Sequence, residues 1–237
     1  MKELVRLFRY LFQNRSGAVF KRLQQDWLHE YGRQRPGKLE VVKIKELFRF
    51  PTKSIRYLNL DKFYRSEEHI YKLAPYQSQE NTQHLCLLIS YLAPARILEI
   101  GTHLGLTTVN MHMNAPENCQ FHTVDIEPLV AQDPFISAYF KAHGINLHAM
   151  KSEEFAQSYS GQFDFIFIDG DHTFEGVKRD TELALKLLAP DGTIVWDDYA
   201  FDLTPEITRY LEELPKELGI RKIDQTTLAI KSSGLIK

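Results

Sequence analysis

The chain has 237 residues, of which 43% are hydrophobic and 25% charged, and a formal net charge of -2. That length suits one α/β domain with an appendage rather than two full domains, and the composition is that of a folded globular chain. Two cysteines, Cys86 and Cys119, form no disulfide framework and no CxxC pair, so a reducing, cytoplasmic setting is expected.

The charge is unevenly spread. Residues 1–65 carry 16 Lys and Arg against 6 Asp and Glu, so the remainder is strongly acidic. Arg6 and Arg9 interrupt the apolar N-terminal run, which argues against a signal peptide, and no apolar run is long enough to span a bilayer. Leu4, Val5, Phe8, Leu11 and Phe12 share one helical face, and a second amphipathic helix follows over 18–31. Residues 39–75 show no clear period. Ser78 then reads as the N-cap of a helix reaching Leu92.

From Arg96 the pattern becomes regular. Apolar runs at 97–100, 121–124, 145–149, 163–168, 193–196 and 228–230 read as strands. Helical stretches at 106–113, 134–142, 174–188 and 205–214 separate most of them. Alternation of this kind predicts a doubly wound, mostly parallel α/β sheet with helices on both faces. The expected division is a basic, mainly helical extension over 1–77 and a ligand-binding domain over 78–237.

Two runs end abruptly in carboxylates. Phe163-Asp-Phe-Ile-Phe-Ile stops at Asp169-Gly-Asp-His172, and Thr193-Ile-Val-Trp stops at Asp197-Asp198. Ligands in open α/β sheets bind at the carboxyl ends of strands, so Asp169, Asp197 and Asp198 would converge on one small volume. Like charges gathered there need compensation, for which a divalent cation held by oxygen is the obvious candidate. Carboxylates capping the next helix are the plainer alternative, but Thr204-Pro205-Glu206 already supplies a helix start.

Upstream, Glu99-Ile-Gly101-Thr102-His103-Leu-Gly105-Leu-Thr107 forms a glycine-bearing strand-to-helix turn, and Asp125 ends the following run, where an acid can grip ribose hydroxyls. A dinucleotide site needs a third glycine where this chain has Leu106. Glu99 before the turn would oppose a pyrophosphate but suit a cation. S-adenosylmethionine, with a sulfonium, an ammonium and no phosphate, meets these electrostatics better than NAD does.

Together these motifs resemble class I S-adenosylmethionine-dependent methyltransferases, specifically the cation-dependent small-molecule O-methyltransferases of the catechol and caffeoyl-CoA type. Ile168-Asp-Gly-Asp-His-Thr-Phe-Glu-Gly-Val177 with Trp196-Asp-Asp-Tyr199 is closer to a bacterial branch that methylates sugars of natural products. The resemblance covers roughly residues 78–231. It implies a seven-stranded Rossmann-like sheet. Glu99 and the Gly101 backbone would face the methionine end of the cofactor, with Thr107 holding its carboxylate. Asp125 would bind the ribose hydroxyls and Ser152 would lie beside the adenine, with Thr102, His103 and Ile126 also in the cofactor pocket. Asp169, Asp197 and Asp198 would hold Mg²⁺ or another divalent cation, with Asp198 departing from the catechol branch's asparagine. His172 would stand where that branch has its catalytic lysine and would act with Asp169 on the acceptor hydroxyl.

The implied acceptor is a small hydroxylated molecule, a sugar or a phenol, and the extension would serve as lid or homodimer contact. Nucleic acid is disfavoured for want of an aromatic-and-basic module or an Asn-Pro-Pro-Tyr-like motif, and membrane contact through the N-terminal helix is not favoured. RNA methylation, metal-dependent oxygenation on the same fold, and non-catalytic binding remain the alternatives.

Overall fold

The computed structural model describes residues 37–47, 55–56 and 79–232. The helices expected over 1–12 and 18–31, and the cap expected at Ser78, lie outside the described residues. Eight strands form one sheet: β1 (Glu40–Val42), β2 (Arg96–Ile100), β3 (Gln120–Asp125), β4 (Asn146–Ala149), β5 (Phe163–Ile168), β6 (Leu188–Trp196), β7 (Arg221–Ile223) and β8 (Ala229–Ser232). Their order is β1-β7-β8-β6-β5-β2-β3-β4. Neighbours run parallel except that β8 lies antiparallel to both β6 and β7.

The sheet therefore has eight strands where seven were expected. The addition is β1, which falls inside the stretch assigned to the extension and pairs with β7 at the sheet edge. Each of these two strands has three residues and buries only its last, Val42 or Ile223, leaving too little pattern to read.

Among the described residues six α-helices flank the sheet: α1 (Gln79–Leu92), α2 (Leu106–Asn114), α3 (Pro134–His143), α4 (Ser152–Ser158), α5 (Phe174–Leu187) and α6 (Pro205–Glu213). Local chemistry sets their ends. Asp133 Oδ1 accepts from the amides of Phe135 and Ile136 at 2.8 and 3.0 Å, Pro134 opens α3, and Gly144 closes it with φ 65°. Thr173 Oγ1 accepts from Gly176 N to start α5.

The pleat sorts side chains between two cores. Leu85, Leu88 and Ile89 of α1, Val109 of α2 and Ile136 of α3 pack on Ile97, Phe165 and Phe167. On the other face Phe155 of α4, Val177 of α5 and Ile207 of α6 pack on Leu98, Ile166 and Ile168. Strands covered on both faces are apolar at nearly every position, which is why β5 is apolar throughout except at the half-buried Asp164. Among the described residues no helix is long and apolar enough to cross a membrane.

The chain leaves β2 for β3 and β4 on one side and returns to β5 on the other. This reversal puts a crevice at the carboxyl ends of β2 and β5, where Gly101 and Asp169 stand.

Candidate active site

Gly101 leaves β2 with φ 101°, and a Cβ there would meet the Asp169 carbonyl oxygen. No side chain fits between the two strand ends, so the backbone itself walls the crevice. Asp125, at the end of β3, fixes the loop that follows. Its Oδ2 accepts from Thr102 N at 3.0 Å and His103 N at 2.7 Å, and its Oδ1 accepts from Glu127 N at 2.8 Å. A carboxylate has about four acceptor positions, so one remains for a ribose hydroxyl. His103 itself holds φ 47°, and Ile126 beside Asp125 is 69% exposed, an apolar surface at the rim that a ligand can cover.

Glu99 points to the α1/α2 face and is fully buried. Its Oε2 accepts from Thr108 of α2 and, at 2.7 Å, from Thr123 of β3, which is in turn 2.6 Å from Thr102 Oγ1. Among the described residues its Oε1 has no hydrogen-bond partner. Burial pushes the carboxyl up to about 8, against the lowering effect of the two threonines and with the charges of Asp169 and Asp125 adding to the rise. A buried acid with one idle oxygen is costly unless a donor arrives, and a ligand ammonium would supply it.

The second half of the site lies at β5 and β6, which are adjacent as expected. Asp169 N donates to Ile100 O at 2.8 Å and Asp197 N to Ile168 O at 3.0 Å, so both acids extend the sheet by one residue. His172 Nε2 lies 3.4 Å from Asp169 Oδ1 and 3.5 Å from Asp198 Oδ2. The bond to Asp169 holds the ring well above its ordinary range, at about 9, against partial desolvation, with the charges of Asp169, Asp198 and Asp197 reinforcing it. Asp198 is raised to about 6 by burial and the Asp169 charge, which His172 opposes. The imidazolium thus stands between two carboxylates in the free protein. Asp197 differs: its Oδ1 accepts from Asn81 Nδ2, Thr227 Oγ1 and Asp198 N.

Of the remaining expected residues, Ser152 opens α4, and its hydroxyl donates to the buried Asp180 of α5 at 2.6 Å. Thr107 is half-buried in the first turn of α2. Its neighbour Thr108 is the one that turns inward to Glu99, a helical phase that the motif alone does not reveal. Thr123, Asp180, Asn81 and Thr227 are polar, buried or half-buried members of the site that sequence reasoning missed. A polar residue inside an apolar strand was the only available sign, and only Thr123 gave it.

Among the described residues no group of three or more His, Cys, Asp or Glu stands ready as a metal site. The oxygen pair of Asp169 and Asp198 is nevertheless chemically suited to a hard cation. A cleft of about 330 Å³ opens along Phe201, Pro205 and Thr208, beyond Asp198. Its charges are already paired, Lys38 with Glu212 and Arg209 with Glu206 and Glu213.

Residues 98–199 match a protein family described as "Methyltransferase domain". Among curated relatives, a Haemophilus influenzae tRNA1(Val) (adenine(37)-N6)-methyltransferase is 26% identical over 145 residues, 59% of this chain and 62% of its own length. A Dictyostelium discoideum protein named "Probable caffeoyl-CoA O-methyltransferase 3" is 27% identical over 128 residues, 50% of this chain and 49% of its own. The matched part therefore spans less than two thirds of either relative. Among solved structures, an O-methyltransferase from Bacillus cereus in complex with SAH superposes with TM-score 0.55 and 17% identity, covering 73% of this chain and 90% of that one. TomG from Streptomyces achromogenes, an O-methyltransferase of tomaymycin synthesis in complex with SAM, gives 0.54 and 18%, covering 76% and 92%. At such identities these two establish the fold alone, a Rossmann-like sheet.

Proposed function

We propose that the chain, whose residues 98–199 match a family described as "Methyltransferase domain", transfers a methyl group from S-adenosylmethionine to a hydroxyl of a small acceptor, a sugar or a phenol. The observation that carries this reading is the buried, unpartnered Oε1 of Glu99 at the strand end from which Gly101 turns. Glu99 would receive the cofactor's ammonium, and the carboxylate of Asp125 would accept from its ribose hydroxyls. Ile126 would cover an apolar part of the nucleoside, and Ser152 would border the adenine. The cofactor supplies an electrophilic methyl on a sulfonium, and a divalent cation would lower the pKa of the acceptor hydroxyl.

Asp169 and Asp198 would hold that cation, with Asp197 behind them. His172, steadied by the same two acids, would take the hydroxyl proton, which it can do only from its neutral form. The rest of the acceleration would come from holding the acceptor oxygen and the methyl carbon in line.

Calorimetry with S-adenosylmethionine, with and without Mg²⁺, tests the cofactor half on the wild type and Asp125→Ala. Radiolabelled methyl transfer to a panel of catechols and sugars, with and without EDTA, tests the acceptor half. Absence of S-adenosylmethionine binding under every metal condition would overturn the reading. Full activity in EDTA would remove the cation from it.

The likeness to tRNA adenine methyltransferases supports base N-methylation as a second reading. Carboxylates and an imidazole at Asp169-Gly-Asp-His172, in place of an Asn-Pro-Pro-Tyr-like motif, speak for oxygen acceptors instead. Incubation with unmodified tRNA transcripts separates the two.

A further inference from the structure

Asp197 and Asp198 end β6 side by side, but their surroundings differ. Asp197 is 5% exposed, and three donors converge on its Oδ1: Asn81 Nδ2 at 2.6 Å, Thr227 Oγ1 at 3.0 Å and Asp198 N at 2.8 Å. Asn81 and Thr227 are also tied to each other. Asn81 Nδ2 donates to Thr227 Oγ1 at 2.6 Å, and Thr227 N donates to Asn81 Oδ1 at 3.1 Å. One amide, one hydroxyl and one carboxylate thereby close a ring across three elements: the first turn of α1, the turn between β7 and β8, and the end of β6. Hydrogen bonds in a dry setting are stronger than in water, and a closed ring fixes its members more firmly than separate pairs do.

The backbone beyond Asp197 is strained. Asp198 has φ 61° and Ala200 has φ 60°. Residues with a Cβ hold the left-handed region at a cost and keep it only where the surroundings impose it. Here the constraints are visible. The Asp198 amide is fixed on Asp197, the Tyr199 amide donates to Thr227 O at 2.8 Å, and the Ala200 amide donates to Thr208 Oγ1 at 2.8 Å. In this conformation the Asp198 carboxylate reaches His172, at 3.5 Å.

We propose that Asn81 and Thr227 are positioning residues: they hold Asp197 and the strand end so that Asp198 adopts the left-handed conformation that presents its carboxylate to His172. Their significance for turnover rests on the reading of the Asp169–His172–Asp198 cluster as the reacting centre. Neither residue touches His172, Asp169 or the carboxylate of Asp198 in any hydrogen bond described above. They act through Asp197 and through the backbone.

Amide hydrogen exchange by NMR on the full chain tests this with Asn81→Ala, Thr227→Val and Thr227→Ser, alongside the His172 ring ¹⁵N resonances and S-adenosylhomocysteine affinity by calorimetry. In Asn81→Ala and Thr227→Val, protection at the Asp198 and Tyr199 amides falls by about tenfold or more, while amides of β2 and β5 keep theirs. The His172 ring resonances move in the same two variants. Thr227→Ser, which keeps the hydroxyl, behaves as wild type, and S-adenosylhomocysteine affinity is unchanged throughout. Unaltered protection and ring resonances in Asn81→Ala overturn the proposal, as does an equal loss in Thr227→Ser and Thr227→Val. If Asn81→Ala does not fold, the Thr227 pair decides alone. If the wild type fails to bind S-adenosylhomocysteine, the cofactor reading falls, while the exchange pattern still decides the positioning role.

Discussion

A Cβ placed on Gly101 would stand 1.9 Å from the carbonyl oxygen of Asp169. The obstacle is backbone, paired in register with β2, so it cannot swing aside as a side chain would. Gly101→Ala must therefore part β2 from β5 at the crevice as well as force φ 101° on a residue with a Cβ. Gly144 offers the control: its φ of 65° is also left-handed, but nothing lies within 4 Å of its added Cβ. Urea unfolding should show a loss of about 1–2 kcal/mol for Gly144→Ala and at least about 3 kcal/mol for Gly101→Ala.

Glu99 makes stability depend on pH in a direction opposite to that of most carboxylates. Burial, more than the nearby charges of Asp169 and Asp125, lifts its folded value to about 8, well above the ordinary value near 4.5. Between those limits the native state keeps a proton that the unfolded chain has released, so its contribution is full at low pH and is lost as pH rises through about 8. Glu99→Gln carries no such proton. Urea midpoints of the variant relative to wild type should improve steadily from mildly acidic to mildly alkaline pH. The same substitution should weaken S-adenosylmethionine binding by about tenfold or more, because a neutral amide replaces the partner of an ammonium.

Asp125→Ala removes the acceptor of three backbone amides, those of Thr102, His103 and Glu127. A fall in stability of about 2–3 kcal/mol is expected, together with loss of calorimetrically detectable S-adenosylmethionine binding. Asp125→Asn keeps one oxygen for the loop and should recover part of the stability without recovering the full affinity. Equal affinity in wild type and both variants would remove Asp125 from the cofactor site.

His122 and His148 form a neutral pair at the outer edge of the sheet, with Nδ1 of the first 3.0 Å from Nε2 of the second. His122 is lowered to about 4, chiefly by burial and then by its neighbour, and burial lowers His148 as well. Phe155, Tyr159 and Phe163 enclose the His122 ring. Here the unfolded chain binds protons more readily, so the contribution is full above the ordinary histidine value near 6.5 and declines as pH falls toward 4. His122→Phe should flatten this acid limb: its denaturation midpoint should change less between neutral and mildly acid pH than that of the wild type.

What the sequence revealed and what it hid follow from the same physics. Strands β2, β3, β5 and β6 were legible because helices cover both their faces, which leaves long apolar runs. The glycine turn at Gly101 and the carboxylates at Asp125, Asp169, Asp197 and Asp198 could be placed because each follows such a run directly. Strands β1 and β7 and helix α4 are not legible because they are short, and α4 buries only Phe155. The Asn81–Thr227 contact spans 146 positions, and no local pattern encodes a pairing at that range. Thr108, one position beyond Thr107, turns inward to Glu99, a helical phase that the motif does not encode.

The late position of β8 in the chain, between β6 and β7 in the sheet, bears on the order in which the protein becomes itself during synthesis. A nascent chain that has emerged only as far as Asp198, just past β6, already owns every acid of the site, and the parallel strands β2 to β6 can pair. It does not own Thr227 or the strand that flanks β6 on its far side, so Asp198 has nothing to force its backbone over. Competence for chemistry would thus arrive after the bulk of the sheet, with the final hairpin acting as the fastener that commits the ribosome's product to its working shape.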